Sequence, residues 1–247
     1  MRYFIRLSFS GTNFHGWQLQ KNAASIQEKL NRSLGILLKN ESIETTGCGR
    51  TDSGVHAKQF FAHFDHDSEI NQEQLVAQLN AILPADIAVQ SIGPMNDKAH
   101  ARFDAVSRTY VYRMHHHKDP FQQEWSWFLQ RKPDTKKMND LALILMNHED
   151  FSCFSKSGTD TDTNNCMISR ATWETDGSRT TFTITADRFL RNMVRAIVGT
   201  LLEGGNGKLD AMDLENILNS KDRSEAGRSV PAHGLCLTEV KYPYPVP

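Results

Sequence analysis

The apolar residues change period repeatedly along this chain, and that switching limits the folds open to it more than any other feature. Tyr3, Ile5, Leu7 and Phe9 alternate with other residues, the two-residue period of a strand. Ile26, Leu30, Leu34 and Leu37 then recur at helical intervals. They follow Ser25-Ile26-Gln27-Glu28, which has capping-box spacing, so a helix is predicted to about Lys39. Residues 11–16 read as a loop, and 43–48 and 59–64 as strands. Asn71 is placed to cap a helix carrying Leu75, Leu79, Ile82 and Leu83 and ended by Pro84. Residues 87–92 and 108–115 read as strands. In the second, Tyr110, Tyr112 and Met114 share one face, with Val111 and Arg113 on the other. A helix over 138–146 follows, then a hairpin of 168–174 with 180–186 around Asp176-Gly177. Asp187 is expected to cap a long helix to about Glu203, before a helix over 212–218 and a strand over 235–242. Residues 120–133 and 156–165 look like loops.

Strands and helices alternate in each half without the regular unit of a doubly wound sheet. An α+β architecture follows, a mixed, largely antiparallel sheet flanked by helices. Two lobes are expected, over 1–104 and 105–247. The length of 247 residues, 39% hydrophobic and 23% charged, suits one large domain or two smaller ones. No apolar run approaches the ~20 residues of a membrane span, and charge interrupts the N-terminus, so neither a membrane segment nor a signal peptide is expected. The cytoplasm is the expected compartment. Cys48, Cys153, Cys166 and Cys236 are scattered and form no C-x-x-C pair, which fits reduced thiols rather than a zinc site.

Three stretches could carry chemistry. Gly49-Arg50-Thr51-Asp52-Ser53-Gly54-Val55-His56 lies between two predicted strands and gathers a cation, a hydroxyl, a carboxylate and an imidazole. Taken alone it reads first as a turn in which Asp52 caps a backbone N–H. The alternative is a functional loop whose glycines permit close approach to another molecule. The second stretch follows Asp187. At about 100° per residue, Phe189, Leu190, Met193, Val194, Ile197, Val198 and Leu201 fill one face, and Arg188, Arg191 and Arg195 fall opposite. That is either a solvated basic face or a stripe for phosphates. A net charge of −1 gives no global attraction for nucleic acid, so an RNA partner would need such local charge. Arg102 and Arg108 flank the strand of Tyr110 and would extend it. The third stretch is the pair Tyr110 and Tyr112, which either packs or meets a base.

Other motifs fail. Alternation puts His63, Asp65 and Asp67 on one face and His66 on the other, which argues against a metal site. His115-His116-His117 ends a strand and is expected to be solvated. Gly204-Gly205-Asn206-Gly207-Lys208-Leu209 lacks the spacing and the Ser or Thr of a phosphate loop. There is no dinucleotide fingerprint and no nucleophile elbow, so no redox cofactor, nucleoside triphosphate or catalytic serine is indicated.

Together the residues resemble the tRNA pseudouridine synthase A family. The Asp52 loop, continued to Ala57, is similar to that family's signature loop, and further motifs follow in order. These are Asn13-Phe14-His15-Gly16-Trp17-Gln18, Ser25 to Leu30, Leu83 to Val89, Ala99-His100-Ala101-Arg102-Phe103-Asp104-Ala105, Ser107 to Tyr112, Asp150 to Phe154, Phe189 to Arg195, and Pro231-Ala232-His233-Gly234-Leu235. The resemblance spans nearly the whole chain. Ser53 departs from the usual alanine, and Gly204-Gly205 from the commoner valine-glycine. It implies two similar lobes around a central basic cleft, and isomerisation of uridine to pseudouridine at positions 38 to 40 of the tRNA anticodon stem-loop. It also implies no metal, no cofactor and a homodimer. By the same resemblance Asp52 is the catalytic aspartate, Tyr110 contacts the uracil, Arg195 is the cation near the aspartate, and Arg50 is the arginine of base flipping. Arg50 or His56 would fill the space the base vacates, and Arg188 and Arg191 would hold phosphates.

Overall fold

A computed structural model describes residues 1–156 and 163–247. Most of the loop expected over 156–165 therefore lies outside the described residues. The chain divides into two compact units, Met1–Val106 with Leu237–Pro247, and Ser107–Cys236. The C-terminal segment thus returns to the first unit, whereas the sequence boundary placed it wholly in the second lobe. The ties are specific. Val106 N–H donates to the Lys241 carbonyl (2.8 Å), and the Tyr242 hydroxyl to the Ala101 carbonyl (2.6 Å).

In the first unit the strands are β1 (Arg2–Phe9), β2 (Thr46–Gly47), β3 (His56–Asp65), β4 (Ile87–Met95) and, from Leu237 onward, β9 (Leu235–Lys241). They run in the order β4-β1-β3-β9, with β2 on β3. β1 is antiparallel to both neighbours, Ile5 standing opposite Ala62 and Ile92. The predicted alternation holds: Tyr3, Ile5, Leu7 and Phe9 are buried, and Tyr3 stacks on Phe64 with centroids 5.7 Å apart. The other face is covered too, because Phe4 packs with Ala99, Ala101, Tyr242 and Tyr244.

Helix α1 (Ile26–Leu38) begins at the expected capping box, Ser25 and Glu28 satisfying each other's backbone N–H, and α2 (Gln72–Ile82) begins after Asn71. Ser25 is fully buried. Ser25→Ala should lower stability by about 1 kcal/mol, read as a lower urea midpoint with an unchanged slope. Two strands differ from expectation. The strand expected over 43–48 shrinks to two residues because Thr45 bonds to α1 instead of a neighbouring strand. Its N–H donates to Asn31 Oδ1 (3.0 Å), and its carbonyl accepts from Gln27 Nε2 (2.6 Å). β4 continues past Ile92 through Pro94, which an edge strand tolerates.

The second unit contains β5 (Ser107–His115), β6 (Trp127–Phe128), α3 (Thr135–Leu145), β7 (Ile168–Asp176), β8 (Arg179–Ala186), α4 (Met193–Gly205) and α5 (Ala211–Ser220). β5, β8 and β7 form an antiparallel run, and β6 adds a short parallel bridge to β5. The β7–β8 hairpin turns at Gly177, whose φ is +55°.

The helix expected from Asp187 starts only at Met193. The Asp187 carboxylate caps the turn before it, accepting from the N–H groups of Met167 and Arg188 (both 2.7 Å). Asn192 then adopts a left-handed conformation, φ +66°, which no α-helix passes through. Arg188 and Arg191 are therefore not helical, and the three-arginine helical stripe does not exist. Only Arg195 belongs to α4.

The histidines at 115 and 116 are buried rather than solvated. His115 Nδ1 bonds the Ser126 hydroxyl (3.0 Å), while His116 bonds the Leu129 carbonyl and the Thr180 hydroxyl (both 2.8 Å). No helix among the described residues is long and apolar enough to cross a membrane.

Candidate active site

The Asp52 loop spans the gap between β2 and β3, and the segment that follows β1 grips it. Trp17 N–H donates to the Thr51 carbonyl (3.4 Å), and Gly54 N–H to the Phe14 carbonyl (3.2 Å). The Ser53 hydroxyl reaches the same Phe14 carbonyl (3.4 Å). Inside the loop, Val55 N–H donates to the Asp52 carbonyl (3.1 Å). Gly16 makes this contact possible. Its φ is +83°, and a Cβ there would stand 2.2 Å from the Thr51 carbonyl oxygen. Trp17 fixes the floor, stacked on Phe60 at 4.3 Å.

On this scaffold Arg50 and Ser53 are exposed and Asp52 is half-buried. His56 is not at the surface. It is 2% exposed, and its Nδ1 accepts the Gly11 N–H (3.1 Å). A ring so enclosed cannot fill the space left by a flipped base; it fastens the loop to the end of β1. Arg102 is exposed on a separate turn of the first unit, its guanidinium 5.4 Å from the centre of the Phe103 ring.

In the second unit Tyr110 stands on β5 opposite Ile184, its half-buried ring edge-on to Phe189 at 5.3 Å. Tyr112 is fully buried and its hydroxyl donates to the Pro231 carbonyl (2.9 Å). Burial pushes its phenol far above the ordinary range, outweighing nearby Arg195, so it stays a donor. The two tyrosines thus separate into one partly open ring and one structural donor.

Arg195 Nε donates to the Val230 carbonyl (2.8 Å), and Val230 N–H donates back to the Arg195 carbonyl (3.2 Å). Residues 228–231 therefore lie along α4. Gly199 allows this, since a Cβ there would stand 1.8 Å from the Arg228 carbonyl oxygen. Asn192 Nδ2 adds a bond to the Ser229 hydroxyl (2.6 Å). Arg108 donates to the Asp187 carbonyl (2.6 Å), which joins β5 to the turn bearing Arg188 and Arg191. Of that turn's two arginines, Arg191 is exposed and Arg188 half-buried.

Comparison with known proteins gives the chain a family. A profile of tRNA pseudouridine synthases matches residues 144–243. A tRNA pseudouridine synthase A of Parabacteroides distasonis is 49% identical over 243 residues, 98% of this chain and 96% of that protein. One from Bacteroides fragilis is 47% identical over 244 residues, with 98% and 96% covered, and one from Bacillus subtilis 36% over 245, with 98% and 99% covered. The chain belongs to the tRNA pseudouridine synthase A family. As a member it is an isomerase, a pseudouridine synthase.

Within this synthase burial pushes the Cys153 and Cys166 thiols up to about 12, which keeps both protonated at neutral pH. Among the described residues no group of three or more His, Cys, Asp or Glu side chains could hold a metal ion. His63 and Asp65 serve the fold: His63 Nδ1 accepts the Ala101 N–H (3.1 Å), and Asp65 takes a bidentate contact from Arg2 (2.9 and 2.8 Å). Three supports escaped sequence reasoning. The motif at 13–18 marked Gly16 and Trp17 as notable, without showing that they clasp the Asp52 loop. Tyr112 was paired with Tyr110 by alternation alone. For residues 228–230 the sequence offered no signal.

Proposed function

We propose that this enzyme isomerises uridine to pseudouridine at positions 38 to 40 of the tRNA anticodon stem-loop, with Asp52 as the nucleophilic carboxylate and no cofactor. The reaction breaks the bond from C1′ to N1, turns the base, joins C1′ to C5 and moves the C5 proton away as N1 gains one. No electrons leave or enter, so the chemistry asks for a positioned carboxylate and a proton acceptor. Asp52 attacks the uridine, at C6 or C1′, or assists elimination to a glycal. Tyr110 contacts the uracil and takes the C5 proton, directly or through water. Arg195 supplies the cation that the family resemblance expects, and Arg50 fills the space left by the flipped base, whose extrusion costs a few kcal/mol. Arg102, Arg108, Arg188 and Arg191 contact phosphates. The enzyme works as a cytoplasmic homodimer.

The observation that carries this reading is the shared identity, 49% over 98% of the chain, with relatives named for the reaction. The clasp on the Asp52 loop adds physical support, since a nucleophile must be held in place before substrate arrives.

The Val230–Pro231 segment gives a further expectation. Tyr112 and Arg195 bond adjacent carbonyls of it, so Tyr112→Phe should let the guanidinium shift. Turnover should fall roughly 10-fold with little change in KM, as expected for lost positioning. Wild-type kcat in that variant would remove Tyr112 from the account.

Two measurements test the function itself. Purified protein should release tritium from tRNA carrying 5-tritiated uridine. Pseudouridine sequencing of tRNA from a strain lacking the gene should show loss at positions 38 to 40. Unchanged modification in that strain would overturn the assignment.

A further inference from the structure

We infer that the turn over residues 99–104 is a base-stacking site, where an unpaired base of the RNA substrate lies against Phe103 while Arg102 meets its phosphate. This rests on reading tRNA as the substrate.

Phe103 is 73% exposed. Single exposed apolar residues are common and need no explanation. What sets Phe103 apart is the column of rings behind it. The His100 ring lies 4.3 Å away at 32°. His63 meets His100 edge-on at 4.7 Å and stacks on Phe4 at 5.9 Å. Phe4 is fully buried, so the column runs from the core to the surface and ends in an open aromatic ring. Phe121 is more exposed still, at 91%, but among the described residues no ring backs it.

The backbone of the turn is locked as well. His100 Nδ1 accepts the N–H groups of Arg102 and Phe103 (3.1 and 3.2 Å). The Asp104 carboxylate accepts the His100 N–H (2.8 Å) and the Tyr244 hydroxyl (2.6 Å). Burial, with help from Arg2, holds both His63 and His100 below the ordinary range, so their Nδ1 atoms remain acceptors at neutral pH. The ordering cost of presenting Phe103 is thus met by the fold before any ligand binds.

The ligand class follows from the pairing on the tip. A guanidinium lies 5.4 Å from the same exposed ring. Of the groups on an RNA strand, an unstacked base satisfies the ring and its phosphate satisfies the cation.

The test is tRNA affinity measured over a range of salt concentrations for full-length variants. Phe103→Ala should weaken binding about 10-fold at every salt concentration, with an unchanged thermal midpoint and an unchanged salt slope. Phe103→Trp should bind like wild type, and Phe103→Leu as weakly as Phe103→Ala. Arg102→Ala should reduce the salt slope by about one. Wild-type affinity in Phe103→Ala overturns the inference. So does wild-type affinity in Phe103→Leu, which would mean a generic apolar contact. A changed oligomeric mass in Phe103→Ala would assign the ring to a contact between copies and also overturn it. If the wild type binds tRNA but forms no pseudouridine, the activity reading fails, while the binding comparison still decides this one.

Discussion

Asp52→Asn should bind tRNA as the wild type does and release no tritium from 5-tritiated uridine, a loss of about 10³-fold or more. The substitution keeps the shape of the side chain and removes its charge. The amide fills the same volume, and several fastenings of the loop lie outside the Asp52 side chain. Among them are the Thr51 carbonyl to Trp17 N–H, the Gly54 N–H to the Phe14 carbonyl, the Val55 N–H to the Asp52 carbonyl, and the Gly11 N–H to the His56 ring. Binding and catalysis should therefore separate cleanly. An isosteric amide cannot act as the nucleophile or stabilise positive charge at the ribose, whichever atom is attacked. Single-turnover tritium release beside a tRNA binding curve makes the measurement. Full activity would remove Asp52 from the mechanism, and joint loss of binding and activity would make it a structural residue of the loop.

Much of the scaffold was legible because its signals are local. The Ser25–Glu28 capping box, the Asn71 cap and the Asp176-Gly177 hairpin each act within a few residues, and each stands where the sequence placed it. The misreadings share a different cause. The apolar rhythm from Phe189 onward is real, since Leu190, Met193, Val194 and Ile197 are buried, but periodicity reports burial and not backbone path. It passed unbroken over Asn192, where a positive φ stops the helix. The strand over 43–48 failed because Asn31 and Gln27 claimed the backbone of Thr45. The histidines at 56, 115 and 116 looked suited to solvent or chemistry, yet each is buried with a partner supplied by another part of the chain. The proposed site was legible in a narrower sense. The loop chemistry alone favoured a turn, and the roles of Asp52, Tyr110 and Arg195 came from the family pattern. What the structure adds is the reason each is held: Gly16 and Trp17 under the loop, Phe189 beside Tyr110, and Val230 on Arg195.

Mild acid should destabilise the fold well before its carboxylates titrate. His63 is 6% exposed, and burial, then Arg2 and His100, hold it down at about 4, although Asp65 and Asp104 pull the other way. Its Nδ1 must stay unprotonated to accept the Ala101 N–H. His100, His115 and His233 are also lowered, each chiefly by burial. In the unfolded chain these rings regain an ordinary value near 6.5. Between about 6.5 and 4 the unfolded chain therefore takes up protons that the native state refuses, and stability falls as pH falls. Above that window the contribution is complete; below it native His63 protonates too and the contribution is gone. His63 alone accounts for at most about 3 kcal/mol. The carboxylates act later. Asp65, Asp104 and Asp150 sit below the ordinary carboxylate range, held there first by Arg2, Tyr244 and Lys221 respectively, so their stabilisation is lost only in stronger acid. Urea unfolding at intervals from pH 7.5 to 4.5 should show a steady decline, steepest between 6.5 and 5. Imidazole proton resonances should place the native His63 transition near 4. The same decline should be shallower in His63→Gln, whose amide can accept the Ala101 N–H without titrating. A flat stability profile across that range, or a His63 resonance moving near 6.5, would contradict the account of a ring kept neutral by the core it closes.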